Sequence, residues 1–138
     1  MKTAALIREA KKRYPFLKDT FIEIDQESPA YGVFDTGYKP PVFETGGSIT
    51  ITLAELKDKY THERRRFTKR FGQFRTFEQF LLLVLLHEIA HAKQYYEHDR
   101  RELDVVYRTV EDRKTHDENP LEVAADKWSR AEFKKWGA

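Results

Sequence analysis

Along the chain the spacing of apolar residues switches between a helical period of about 3.6 and a strand period of two, and the switches predict the order of elements. Residues 3–13 read as a short amphipathic helix. Leu6, Ile7 and Ala10 share one face, and Lys11, Lys12 and Arg13 crowd its carboxyl end, where cations oppose the helix dipole. Pro15 ends it. Three strand candidates follow at 20–25, 30–36 and 48–53, separated by turn residues Gly37, Pro40, Pro41, Gly46 and Gly47. In the third, Ile49, Ile51 and Leu53 are expected to face a core, while Thr50 and Thr52 face solvent or a groove. If it lies at a sheet edge, its main chain could hold an extended peptide.

A helix is predicted over 54–67, ending near Phe67, with Gly72 as the break beyond it. Thr76 and Gln79 have capping-box spacing and open a helix expected to reach about Tyr96. This is the most apolar element of the chain and so the expected centre of the fold. Leu103, Val105, Val106 and Tyr107 form an apolar patch within a polar stretch, and 111–117 reads as loop. Asn119 followed by Pro120 starts a last helix, expected to reach Lys135, with Ala124, Ala125, Trp128, Ala131 and Phe133 as its apolar surface.

This order predicts an α+β fold in one domain spanning 1–138: a small sheet of three or four strands packed against a central helix and a C-terminal helix. Composition narrows the function more than the fold. The 138 residues include 25 Lys or Arg, 23 Asp or Glu and no Cys. Thiolate zinc sites, iron–sulfur clusters and cysteine nucleophiles are excluded, so any metal must be held by His, Asp or Glu. A net charge of +2 imposes no polyanionic partner. The longest uninterrupted apolar run, 80–86, makes roughly 10 Å of helix, too short to span a bilayer. The amino-terminal apolar run is too short for a signal-peptide core, and a cytoplasmic protein with no membrane association is the simplest expectation.

The central helix carries His87, Glu88, Ile89, Ala90 and His91. Histidines at i and i+4 lie one turn apart on one face, where both imidazoles can reach a single Zn²⁺ at about 2.0–2.1 Å. Glu88 sits about 100° around the helix, placed to reach a metal-activated water rather than the metal. Zinc with two imidazoles and one carboxylate keeps a position for water. Glu88 would act as general base, then as general acid toward the leaving amine. The motif interrupts a strongly apolar segment, where unpartnered imidazoles and a carboxylate would be costly to bury.

The third ligand must come from elsewhere. His98 follows His91 by seven residues, about 10 Å along a continuous helix. Zincins with a third histidine turn at a glycine where this chain has Gln94, and His98 is one place out of their register. Glu122 is the better candidate, with Asp126 one turn later to accept the second ring N–H of a ligand histidine. Ala124 and Ala125 would let the two helices approach. Glu122 also stands three residues after Asn119, at capping-box spacing. If it caps the helix, Asp126 or His116 becomes the ligand.

The local sequences L-H-E-I-A-H-A and E-V-A-A-D resemble gluzincin-type metallopeptidases, including the minimal proteases of the ImmA type and the SprT-like proteins. The resemblance covers about 48–130. It implies a minimal zincin-like fold, zinc bound by His87, His91 and Glu122, Glu88 as catalytic base and Asp126 behind the ligands. SprT-like proteins usually have a third histidine, and this chain departs from them there. The resemblance further implies a peptide or protein substrate lying antiparallel to an edge strand, for which 48–53 is the candidate. It also requires a donor for the developing oxyanion. Tyr95, His98, Tyr107 and His116 are candidates for that donor or for other substrate contacts.

Two other readings compete with the zinc endopeptidase. The segment Arg64, Arg65, Arg66, Phe67, Thr68, Lys69 and Arg70 is basic and compact, and suits phosphate contacts to nucleic acid. Near-neutral overall charge disfavours that reading. A non-catalytic, zinc-stabilised interaction protein is the other, with His98 or His116 closing the fourth position. It leaves Glu88 without a role.

Overall fold

The computed structural model describes residues 3–25, 32–35, 48–97 and 117–137. Helix α1 spans Thr3–Arg13 and buries Leu6 and Ala10. Pro15 stops it and opens a single 3-10 turn, Pro15–Leu17. The chain then enters strand β1, Phe21–Asp25. Strands β2, Gly32–Asp35, and β3, Ser48–Thr52, complete a three-stranded sheet in the order β1-β3-β2.

The sheet is mixed. β1 pairs parallel with β3, aligning Ile22 with Ile49 and Ile24 with Ile51. β2 pairs antiparallel with β3 on the other side. β3 is therefore the central strand, and the expectation that it forms a free edge for an extended peptide is wrong. Both of its backbone sides are occupied by ladder bonds. Among the described strands, β1 and β2 are the edges. Ile49 and Ile51 are buried as the period of two requires, but Thr52 is buried with them. The alternation ends where the strand passes directly into helix α2, Leu53–His62.

The single helix expected over 54–67 is two: α2 and α3, Arg64–Phe71. Glu63 breaks them with φ −122° and ψ 28°. No proline or glycine marks the site. Docking explains the change of course: α2 lies against β3 and the central helix, whereas α3 turns toward the C-terminal helix. Gly72 ends α3 with φ +80°, a conformation that suits glycine.

Helix α4, Phe77–Glu97, is the axis of the molecule. Its start is a capping arrangement. Thr76 Oγ1 accepts from the Gln79 backbone N–H at 3.1 Å, and Gln79 Oε1 accepts from the Arg75 N–H at 2.7 Å. Residues 80–92 are buried around the whole circumference. Phe80, Leu83, Leu85, Leu86 and Ile89 are fully enclosed. Each such side chain contributes about 1.5–3 kcal/mol of transfer free energy, which offsets burial of the polar residues on the same helix. No described helix is long and apolar enough to cross a membrane.

Helix α5, Pro120–Lys135, begins as its sequence predicts, with Asn119 as cap and Pro120 in the first turn. The Asn119 side chain accepts from the Leu121 N–H at 2.9 Å. The buried face of α5 is Glu122, Ala125, Asp126 and Ser129, and it lies along α4. Ser129 donates to the Leu83 carbonyl at 2.9 Å, a contact that requires close approach of the two helices. Of the two alanines expected at this contact, only Ala125 is buried; Ala124 faces outward. At the far end of α5, Tyr14 donates to Glu132 at 2.9 Å and accepts from Trp136 at 3.0 Å, tying α1 to the carboxyl end.

A leucine at position 125 would wedge α4 from α5. Ala125→Leu is expected to destabilise the protein by about 1–3 kcal/mol, and Ala124→Leu to stay within about 0.5 kcal/mol of wild type. Urea titration followed by circular dichroism compares the two. Equal effects would contradict the packing assigned to Ala125.

Candidate metal centre

The interface of α4 and α5 holds the polar residues of the core. His87 and His91 come from one face of α4. Glu122 and Asp126, also one turn apart, come from the facing side of α5, and all four are buried. Glu122 Oε2 is 2.9 Å from His87 Nε2, and Glu122 Oε1 is 3.1 Å from His91 Nε2. The two imidazole Nε2 atoms are 3.0 Å apart. Both Glu122 oxygens thus face the histidines, while Asn119 supplies the side-chain cap of α5. The competition between cap and site is resolved by giving each task to a different residue.

The outer nitrogens of the rings are also engaged. His87 Nδ1 lies 2.8 Å from Asp126 Oδ1, the partner expected for it, although the contact is not aligned as a hydrogen bond. His91 Nδ1 lies 2.9 Å from Gln94 Oε1, and Gln94 donates onward to the Leu121 carbonyl at 2.9 Å. In the sequence Gln94 stands out only as the residue at the glycine position of zincins with a third histidine. Its i+3 spacing from His91 was the available signal. The ring of Phe71 meets His87 edge-on at 5.7 Å between centroids.

Arg70 completes the cluster from α3. Its guanidinium takes Asp126 with two contacts, Nε to Oδ2 at 3.0 Å and Nη2 to Oδ1 at 3.1 Å. The same Nη2 is 3.3 Å from Glu122 Oε2, and Nη1 is 3.3 Å from Asp117 Oδ1. Assignment of Arg70 to a nucleic-acid surface is therefore incorrect: its side chain is only 7% exposed and faces inward. Its signal was amphipathic, since Phe67, Arg70 and Phe71 form the buried face of α3. Arg66 pairs with Glu63 and with both oxygens of Asp117. Arg64, Arg65 and Lys69 are exposed. Arg64 lies over the Tyr60 ring, 4.6 Å from its centroid.

Glu88 is buried on α4 and close enough to His87 for its charge to favour the imidazolium. The backbone of Tyr95 belongs to α4, and its side chain lies outside the described structure. His98, Tyr107 and His116 fall outside the described residues, as do the patch at 103–107 and the loop at 111–116.

The electrostatics favour a cation. Among the described residues, Glu122 and Asp126 contact one buried guanidinium, Arg70, and a third buried carboxylate, Glu88, acts on His87 from α4. Their formal sum is −2, which a divalent ion would neutralise. Burial alone would lower the His87 pKa, but pairing with Asp126 and Glu122 and the Glu88 charge outweigh it and push it up to about 9. Burial would raise the Glu122 pKa, and both histidines reverse that and hold it well below the usual carboxylate range. In the metal-free protein, protonated imidazole thus supplies part of the missing positive charge.

The donor set fits a metal. Ligand atoms of His87, His91 and Glu122 lie within 4.8 Å of one another. Bonds of about 2.0–2.1 Å at tetrahedral angles place donors about 3.3 Å apart. The two Nε2 atoms, 3.0 Å apart, are close to that spacing, and each ring has one of the two Glu122 oxygens at 2.9 or 3.1 Å. A buried His/His/Glu group that could bind a metal ion is therefore present.

Proton linkage follows. A His87 pKa of about 9, above its unfolded value near 6.5, stabilises the metal-free fold fully below about pH 6.5. That contribution is lost as pH rises through 9. In chelator, the thermal midpoint is expected to fall across this window, and less so in His87→Gln. Metal uptake must displace the same proton, so divalent-metal affinity should rise over the window with proton release. Titration calorimetry in buffers of different ionisation enthalpy measures it. Affinity independent of pH would contradict the assignment.

Comparison of the chain with protein families, curated proteins and solved structures gives no match in any of the three.

Proposed function

We propose that this chain is a zinc-dependent endopeptidase of the gluzincin type, holding Zn²⁺ on His87, His91 and Glu122. The observation that carries the reading is the convergence of those three donors from α4 and α5, with Glu88 buried on the same helix as the histidines. Two imidazoles and one carboxylate form the donor set used by catalytic zinc, in which three protein ligands leave one position for water or substrate. A mixed α+β fold with α4 and α5 paired beside a small sheet supports the zincin-like reading.

When bound, zinc supplies a Lewis acid that polarises the scissile carbonyl and acidifies water. Glu88 accepts the proton from the attacking water and delivers it to the departing amine. Gln94 bonds the outer nitrogen of His91, and Asp126 lies beside that of His87, the position from which it would fix the ring's orientation. The substrate is a peptide or protein amide. With β3 enclosed, the substrate-lining role passes to β2, the antiparallel edge strand that lies against α4.

Glu88→Gln tests the chemistry. Hydrolysis of a casein or peptide-library substrate by the zinc-loaded protein is expected to drop roughly 10²–10⁴-fold, with metal content and melting temperature retained. Undiminished hydrolysis would remove Glu88 as the base. A wild type that binds zinc, gains stability from it and cleaves nothing would favour the zinc-stabilised interaction protein.

A further inference from the structure

We propose that Arg70 is a positioning residue of the metal centre, orienting the Glu122 and Asp126 carboxylates for the two histidines; the inference rests on the metal reading above. Arg70 reaches three carboxylates from one guanidinium: Asp126 by two nitrogens, Glu122 at 3.3 Å and Asp117 at 3.3 Å. A planar fork can do this with fixed angles, whereas a lysine ammonium offers one point of charge. The fork is itself held. The rings of Phe71 and Phe67 lie 5.3 Å and 5.6 Å from its central carbon. The Arg70 carbonyl accepts a hydrogen bond from Arg130, so α5 also grips the backbone of α3 at this residue.

Two effects of Arg70 on a bound dication have opposite signs. Its charge repels the ion and lowers affinity. Its hydrogen bonds set the direction of Glu122, which touches both histidines, and of Asp126, which touches His87. Without the fork, Glu122 and Asp126 would lose the cation that holds the two carboxylates side by side. Loss of such an outer contact typically weakens metal binding by about 10–100-fold. A charge-preserving substitution separates the two effects, because it keeps the repulsion and loses the fork.

The two signs make the test decisive. Zn²⁺ affinity is measured by competition with a chelating dye for wild type, Arg70→Lys and Arg70→Gln, with melts in chelator to verify folding. Visible spectra of the Co²⁺-loaded proteins report ligand geometry. Arg70→Lys, which keeps the charge, should bind Zn²⁺ roughly 10–100-fold more weakly and shift the cobalt bands. Arg70→Gln, which loses the repulsion along with the fork, should also be weakened, but by less. Unchanged affinity and spectrum in Arg70→Lys, or tighter binding in Arg70→Gln, overturns the proposal while leaving the metal site intact. A wild type that binds no divalent ion overturns the metal reading and this inference with it. Should neither variant fold, a crystal structure of the zinc-loaded wild type decides. Arg70 is expected within hydrogen-bond distance of Glu122, and its withdrawal from Glu122 would refute the positioning role.

Discussion

The helices α4 and α5 meet across a cluster of buried carboxylates and imidazoles. The cluster would be costly to keep from water without balanced charge. Glu88, Glu122 and Asp126 contribute three negative charges, and Arg70 returns one. The shortfall is closed by protons on imidazole or by a metal ion, and these two solutions compete for the same His87 nitrogen. Ser129 can reach the Leu83 carbonyl only while the helices stay close, so the charge at this interface must be balanced without forcing them apart.

The elements around this interface make sense as its supports. α3 turns at Glu63 and stops at Gly72, which delivers Arg70 into the cluster and places Phe71 against His87. Asp117 takes Arg66 and Arg70 together, joining the start of α5 to α3. Gln94 links His91 to the Leu121 carbonyl, joining α4 to the first turn of α5. The N-terminal helix closes the opposite end through Tyr14, Glu132 and Trp136. Helix α5 is thus fixed at both ends as well as along its buried face.

Much of this was legible locally. The i,i+4 spacing of His87 and His91, the caps at Thr76 and Asn119, and the pairing of Glu122 with Asp126 all follow from helical periodicity within one segment. What was hidden depended on contacts between segments. Arg70 sits in a run of basic residues that reads as solvated surface, and only the docking of α3 on α5 turns it inward. The central position of β3 results from parallel pairing with β1, which a period of two cannot reveal. Thr52 shows the same limit: alternation predicts an outward side chain, but the passage into α2 buries it. The division of 54–67 into two helices had no proline or glycine to announce it.

Glu122 illustrates how a conflict in the sequence can become an advantage in the fold. Its spacing from Asn119 suggested a helix cap, and its spacing to Asp126 suggested a ligand. In the structure Asn119 provides the side-chain cap, yet Glu122 remains in the first turn of α5. There the unpaired backbone N–H groups and the helix dipole favour an anion. Burial alone would push the Glu122 carboxyl toward its neutral form, which donates a proton where a metal needs a lone pair. The helix start, Arg70 and the two histidines all act against that tendency. A carboxylate in the middle of α5 would lack the first of these, and Asp126, one turn further in, is taken up by two Arg70 contacts, so the first turn is the better place for a metal-binding carboxylate.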